Sequence, residues 1–311
     1  AGESGAPGPS RLMASQGRGP AAQAQRGERA GTTVELDAGG RLAYTRYGAP
    51  DGTPALALHG TPGSRLFGRL LADHAERNRV RLLAFDRPGY GRSTPAPDRS
   101  VGETAALLPE LLDDAGVNSA SLLAFSGGAP YALAAAVQAP ERVDRVELIA
   151  GATPPSVREQ TPGPQRLLAA MAVRTPRLLA GSFRFQRWLA ERASPSLVLG
   201  QYTDDPGSVP DPTAAAVVKE FVEAFTAHRE GAVTEFRHTR EPWAVAFEDI
   251  EVPVVFRHGT ADTNVPIGGA RRLAERIPDA SLDEVEGADH LQTLLQARGD
   301  AVRTIGDEAG D

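Results

Sequence analysis

From residue 32 onward the chain alternates between two hydrophobic periods. Short runs rich in apolar and β-branched residues at 55–59, 80–85, 120–125, 143–149, 252–256 and 280–285 predict strands. Between them, apolar residues fall at helical spacing over 66–78, 103–115, onward from 126 to 138, over 268–277 and again from 289. Residues 33–37 and 41–47 flank Ala38-Gly39-Gly40, a hairpin signal. The run at 55–59 is unbroken and ends at Gly60, as expected of a strand covered on both faces. Strand–helix alternation with such strands predicts an α/β fold around a parallel sheet with right-handed crossovers.

The strand rhythm stops at about 153 and resumes at about 248. Inside this stretch the pattern is helical, at 166–173, 177–189 and 213–227. We read 153–247 as a helical cap inserted into a core made of 32–152 and 248–311. The stretch holds nine of the chain's 17 aromatic residues. These either roof an apolar pocket or form the insertion's own core. On the first reading Trp188 and Trp243 contact substrate, and Phe125 joins them from the core. Residues 1–31 predict a disordered tail, since 20 of them are Gly, Ala, Pro or Ser and little apolar surface is on offer. The tail lacks the apolar run of a secretion signal, so a cytoplasmic location is expected.

Composition narrows the chemistry. The absence of cysteine excludes disulfides, thiolate metal sites and a cysteine nucleophile. A net charge of −7 argues against a nucleic-acid partner. No run reaches the ~18 apolar residues of a membrane helix, and no metal-ligand spacing is visible.

The segment Ala124-Phe125-Ser126-Gly127-Gly128 joins a buried strand directly to a helix of small residues. A serine on such a turn projects its hydroxyl above the sheet, and small neighbours two residues away relieve the crowding. The alternative is a serine that merely caps a strand end. A serine needs a base, and the base needs an orienting group. Of six histidines, His74, His228 and His238 lie in helical or polar stretches and are expected at the surface, and His258 follows a strand. His290 follows the last strand and opens the last helix, at the sheet edge where Ser126 also lies. Asp262 follows the strand at 252–256 and is the acid candidate, although turn aspartates are common there. The adjacent Asp289 is assigned to capping the last helix. His59-Gly60-Thr61-Pro62-Gly63 follows the strand at 55–58, so the Thr61 and Gly127 N–H groups are the candidate oxyanion donors. In Phe85-Asp86-Arg87-Pro88-Gly89-Tyr90-Gly91-Arg92-Ser93, Asp86 is expected to be structural.

Together with Gly259…Asp262…Pro266 and Gly287…His290, these segments make residues 32–305 resemble the α/β-hydrolase superfamily with a helical cap. The group that contains proline iminopeptidases and epoxide hydrolases is similar. The resemblance implies an eight-stranded, mostly parallel sheet. Three positions depart from the pattern. Ala124 stands where the serine turn usually has glycine. Thr61 stands where proline iminopeptidases have glycine, and Gly127 where they have a bulky residue. Epoxide hydrolases need an aspartate at position 126. The expected activity is therefore a serine hydrolase acting on a small-molecule carboxylic ester, lactone or thioester, needing no cofactor or metal. The alternatives are an aminopeptidase or amidase, anchored through Glu220, Glu223 or Glu230, a tailoring hydrolase or cyclase of secondary metabolism, and a non-catalytic small-molecule receptor. The oligomeric state is not specified by the sequence.

Overall fold

A computed structural model describes residues 31–158 and 161–307; the expected tail, Gly31 apart, lies outside them. Eight strands form one sheet in the order β1-β2-β4-β3-β5-β6-β7-β8. They are β1 (Thr32–Glu35), β2 (Arg41–Gly48), β3 (Thr53–Leu58), β4 (Val80–Phe85), β5 (Ala120–Phe125), β6 (Val143–Ile149), β7 (Val254–Gly259) and β8 (Ala280–Val285). β2 is antiparallel to β1 and β4, and all other pairs are parallel. β5, at the centre, is buried along its whole length, which is why it reads as a continuous apolar run. One apolar cluster packs on each face of the sheet, with Leu123, Phe125 and Ile149 in one and Leu122, Ala124 and Leu148 in the other. Ala124 is fully buried there, so its methyl group is accommodated where glycine is usual.

Crossover geometry brings the carboxyl ends of β3, β5, β7 and β8 to one edge of the sheet. In such folds that edge carries the site. Between β6 and β7 lie the helices Gly163–Arg174, Pro176–Ala190, Ser196–Leu199, Asp211–Ala224 and Glu230–His238. This helical insertion is stitched to the loops at that edge. The Ser64 hydroxyl donates to the Glu220 carbonyl at 3.0 Å, and the Gly91 N–H to the Ala224 carbonyl at 3.0 Å. Arg65 bridges Asp86 of the core and Glu223 of the insertion. Asp86 is structural, as expected. It is fully buried, accepts from the Arg65 N–H at 2.6 Å and the Arg92 N–H at 3.0 Å, and presses on Gly91, which has φ +45° and no room for a Cβ.

Two expected helices are broken. The span 103–115 is two helices, Val101–Ala105 and Leu108–Asp114. Pro109 in the first turn of the second explains this, because its ring excludes a continuous helix through the preceding turn. The span 66–78 is a 3₁₀ turn, Arg65–Leu70, followed by the helix Ala72–Arg77. Here Gly68 lies against the Tyr47 ring, closer than any side chain would allow.

Candidate active site

Ser126 follows β5 directly, with φ +49°. A left-handed backbone is strained for serine, at a cost on the order of 1 kcal/mol or more. The strain persists because β5 on one side and the helix Ala129–Gln138 on the other fix the turn, and the Ser126 carbonyl accepts from the Ala152 N–H at 2.8 Å. The hydroxyl lies 2.9 Å from His290 Nε2, and His290 Nδ1 lies 2.7 Å from Asp262 Oδ2. The other oxygen of Asp262 accepts from the Asn264 and Val265 N–H groups, both at 2.9 Å. Burial works to raise the Asp262 pKa, but the His290 imidazole and the Val265 N–H outweigh it and hold the carboxyl below its usual range. An ionised carboxylate can only accept. Nδ1 therefore carries the imidazole proton, and Nε2 is left bare to accept from the serine. Ser126, Asp262 and His290, picked out by their positions after three strands, form one hydrogen-bonded chain.

Asp289 does what its position at the start of the last helix suggested. Its carboxylate accepts from the Gln292 N–H at 2.9 Å, while Gln292 returns a bond to the Asp289 N–H. Its other oxygen holds the Thr203 hydroxyl at 2.6 Å and the Asp204 N–H at 3.1 Å, tying the insertion to the core. It makes no bond to His290.

A cavity, partly open to solvent, lies over Ser126, with Thr61, Gly127, Tyr131, Glu235 and Trp243 in its walls. Thr61 and Gly127 face each other. A Cβ on Gly127 would sit 2.1 Å from Thr61 Oγ1 and 2.7 Å from Thr61 Cβ. The φ of Gly127 is not positive, so space, not backbone conformation, demands glycine. The two unusual positions are one feature: the Thr61 side chain fills the space a side chain at 127 would need. The Thr61 hydroxyl is fixed by donating to Glu235 Oε2 at 2.6 Å.

Glu235 anchors a buried network with no counterpart among the sequence expectations. Arg87 grips its carboxylate with two nitrogens, at 2.7 and 2.8 Å; Arg99 adds 3.0 Å and the Tyr90 hydroxyl 2.8 Å. Burial would raise its pKa, but Arg87 and Arg99 overcome this and hold it down at about 2. Such a network fixes position more than it adds stability. It locks the helix Glu230–His238 to the loops that carry Thr61 and Arg87.

Three expected placements need correction. His238 is not at the surface. It is buried in the cavity wall, donating through Nε2 to the Arg99 carbonyl at 2.9 Å and accepting through Nδ1 from Tyr131. Trp188 does not line this cavity. It is 50% exposed and stacks on Phe185, because Phe183 and Leu179 define the buried face of its helix and five residues turn a side chain away from it. Phe125 backs the His290 ring at 5.0 Å and lines a second, smaller cavity of about 310 Å³ instead. Trp243 alone of the three lines the cavity over Ser126.

Glu220 lines the smaller cavity. Burial pushes its carboxyl up to about 8, against the Ser64 N–H, which donates to it at 3.2 Å. Unfolded, it titrates near 4.3. Between those values the folded chain holds a proton that the unfolded chain lacks, so this residue makes stability fall as pH rises toward about 8. Glu220→Gln should therefore raise Tm at pH 7.5 by about 2–4 °C, a gain of ~1 kcal/mol once partial access to solvent is allowed for, and change little at pH 4.5. Thermal melts at both pH values check this; an equal gain at both would mean that the carboxyl is not held protonated.

A family model for the alpha/beta hydrolase fold matches residues 54–296. The chain belongs to that family. The hydrolase is 28% identical over 259 residues to a protein of Azorhizobium caulinodans that carries the name "Putative carbamate hydrolase RutD", across 80% of this chain and 88% of the relative. It is 31% identical over 116 residues to a proline iminopeptidase of Xylella fastidiosa, across 36% of this chain and 37% of that protein. An esterase structure from Exiguobacterium antarcticum superposes with TM-score 0.68 at 18% identity, covering 91% of this chain and 100% of that one, a likeness of fold. Among the described residues the hydrolase has no helix long and apolar enough to cross a membrane, and no cluster of three or more His, Asp or Glu able to hold a metal.

Proposed function

We propose that this hydrolase cleaves a small carboxylic ester, or the related lactone or thioester, through an acyl-enzyme on Ser126. The observation that carries the reading is the Ser126–His290–Asp262 hydrogen-bonded chain opening onto the larger cavity. Ser126 Oγ attacks the carbonyl carbon while His290 Nε2 takes its proton. The carbonyl oxygen becomes an oxyanion, bound by the Thr61 and Gly127 N–H groups. Asp262 stabilises the imidazolium. Collapse expels the alcohol, which leaves with the proton from His290. Water, deprotonated by the same histidine, then releases the acid. Residues 153–247 act as the cap that closes this site from above.

An aminopeptidase would need a free acid beside the serine to hold the substrate amine. Glu220, Glu223 and Glu230 do not line the serine's cavity, and Glu223 pairs with Arg65 and Arg92. Glu235 does line it, but its charge is taken up by Arg87 and Arg99. These observations favour an ester over an N-terminal amine. The direct test is covalent: a fluorophosphonate should add once per chain, at Ser126, and a Ser126→Ala chain should stay unlabelled by intact-mass analysis. An adduct at any other serine would remove the assignment.

A further inference from the structure

Among the described residues, the larger cavity has one charged wall residue without an opposing charge. Arg158 follows β6 at the start of the insertion and lines the same cavity as Ser126. Among the described residues its covered Nε has no hydrogen-bond acceptor, and no carboxylate opposes its charge. The four most deeply buried arginines behave differently. Arg65, Arg87, Arg99 and Arg257 each hold a carboxylate of this chain. Elsewhere in the cavity, the Gln165 amide donates to the Asn264 carbonyl and the Asn264 amide to the Gln201 carbonyl, so each has one donor in use. The Glu235 charge is matched twice over, and burial keeps His238 neutral. A guanidinium presents a planar fork of donors that fits a carboxylate.

We propose that Arg158 is a specificity-determining residue that binds a carboxylate on the substrate, so that the preferred esters are monoanions with a free carboxylate on the part that fills the cavity. The inference rests on Ser126 being the nucleophile of this site. Burial acts in the same direction, since it lowers the Arg158 pKa with no counter-charge to oppose it, and a bound anion supplies that charge. Trp243, Pro162 and Phe236 give this mixed wall an apolar stretch, suited to a short chain between the ester and the carboxylate.

The experiment compares p-nitrophenyl hemiadipate with p-nitrophenyl hexanoate, a near-isosteric pair differing in one carboxylate. Wild type should favour the hemiadipate by about tenfold or more in kcat/KM, mainly through KM. Arg158→Gln should lower kcat/KM for the hemiadipate by about 10–100-fold and leave the hexanoate within about threefold, with Arg158→Lys in between. Equal handling of both esters by wild type, or an equal loss on both in Arg158→Gln, overturns the proposal. Calorimetric titration with adipate reads Arg158 without turnover: the affinity should fall tenfold or more in Arg158→Gln, and an unchanged affinity overturns the proposal. Failure of the serine reading has a different signature, no hydrolysis of either ester and no fluorophosphonate adduct on Ser126.

Discussion

Ser126→Ala should lower kcat for any accepted ester by about 10⁴–10⁶, with KM nearly unchanged. The hydroxyl contributes little to holding the ground state, and its loss removes the bond-forming atom. His290→Ala should cost a similar amount. The double variant should be no slower than either single one, because the two residues act as a unit and what remains comes from the oxyanion donors and binding. Stability supplies a second readout. The φ of +49° strains serine and alanine alike, whereas glycine accepts it. Ser126→Gly should thus be as inactive as Ser126→Ala but more stable by about 1 kcal/mol. Steady-state kinetics and melting curves on these chains test both halves. Activity within tenfold of wild type in Ser126→Ala would end the nucleophile assignment.

Asp262→Asn should cost about 10⁴ in kcat at neutral pH, while Asp289→Asn leaves the rate within a fewfold of wild type. The two differ in what they touch. Asp262 meets His290 Nδ1 at 2.7 Å and fixes the tautomer. An amide there can present its NH₂ to Nδ1, which moves the ring proton to Nε2 and leaves nothing to accept from Ser126. It also removes the charge that stabilises the imidazolium. Asp289 instead caps the last helix and holds Thr203. Asparagine also caps, so Asp289→Asn should cost only about 1–2 kcal/mol of stability, through the bonds to Thr203 and Asp204. Measuring kcat and Tm on both variants decides between them. An inactive Asp289→Asn beside an active Asp262→Asn would reverse the assignment.

The sheet and the three-residue chain were legible because their signals are local. β5 is buried along its length and so reads as an apolar run, and Ser126 follows it at once. Asp262 and His290 likewise follow β7 and β8, and strand ends are recognisable without knowing what they contact. The network around Glu235 was not legible for the opposite reason. Arg87, Arg99, Glu235 and His238 are buried against one another, but each alone has the polarity of a surface residue. For the same reason the helix Glu230–His238 escaped the pattern, since its buried face carries Glu235 and His238 where apolar residues were sought. Trp188 was misread from type alone. Its spacing from Leu179 and Phe183 already placed it on the outer face. Arg158 has no local mark; that it lines the serine's cavity with no carboxylate against it among the described residues is visible only in the assembled fold.

The close fit of Thr61 against Gly127 constrains how this sequence could have been reached by single changes. While threonine stands at 61, any β-carbon at 127 collides with it. With a bulky residue at 127, a threonine at 61 would have nowhere to go. A lineage crossing between the two arrangements passes through glycine at both positions, which leaves a gap but no collision. Neither position reports its tolerance on its own, and a library that varies 127 with threonine held at 61 recovers glycine alone there.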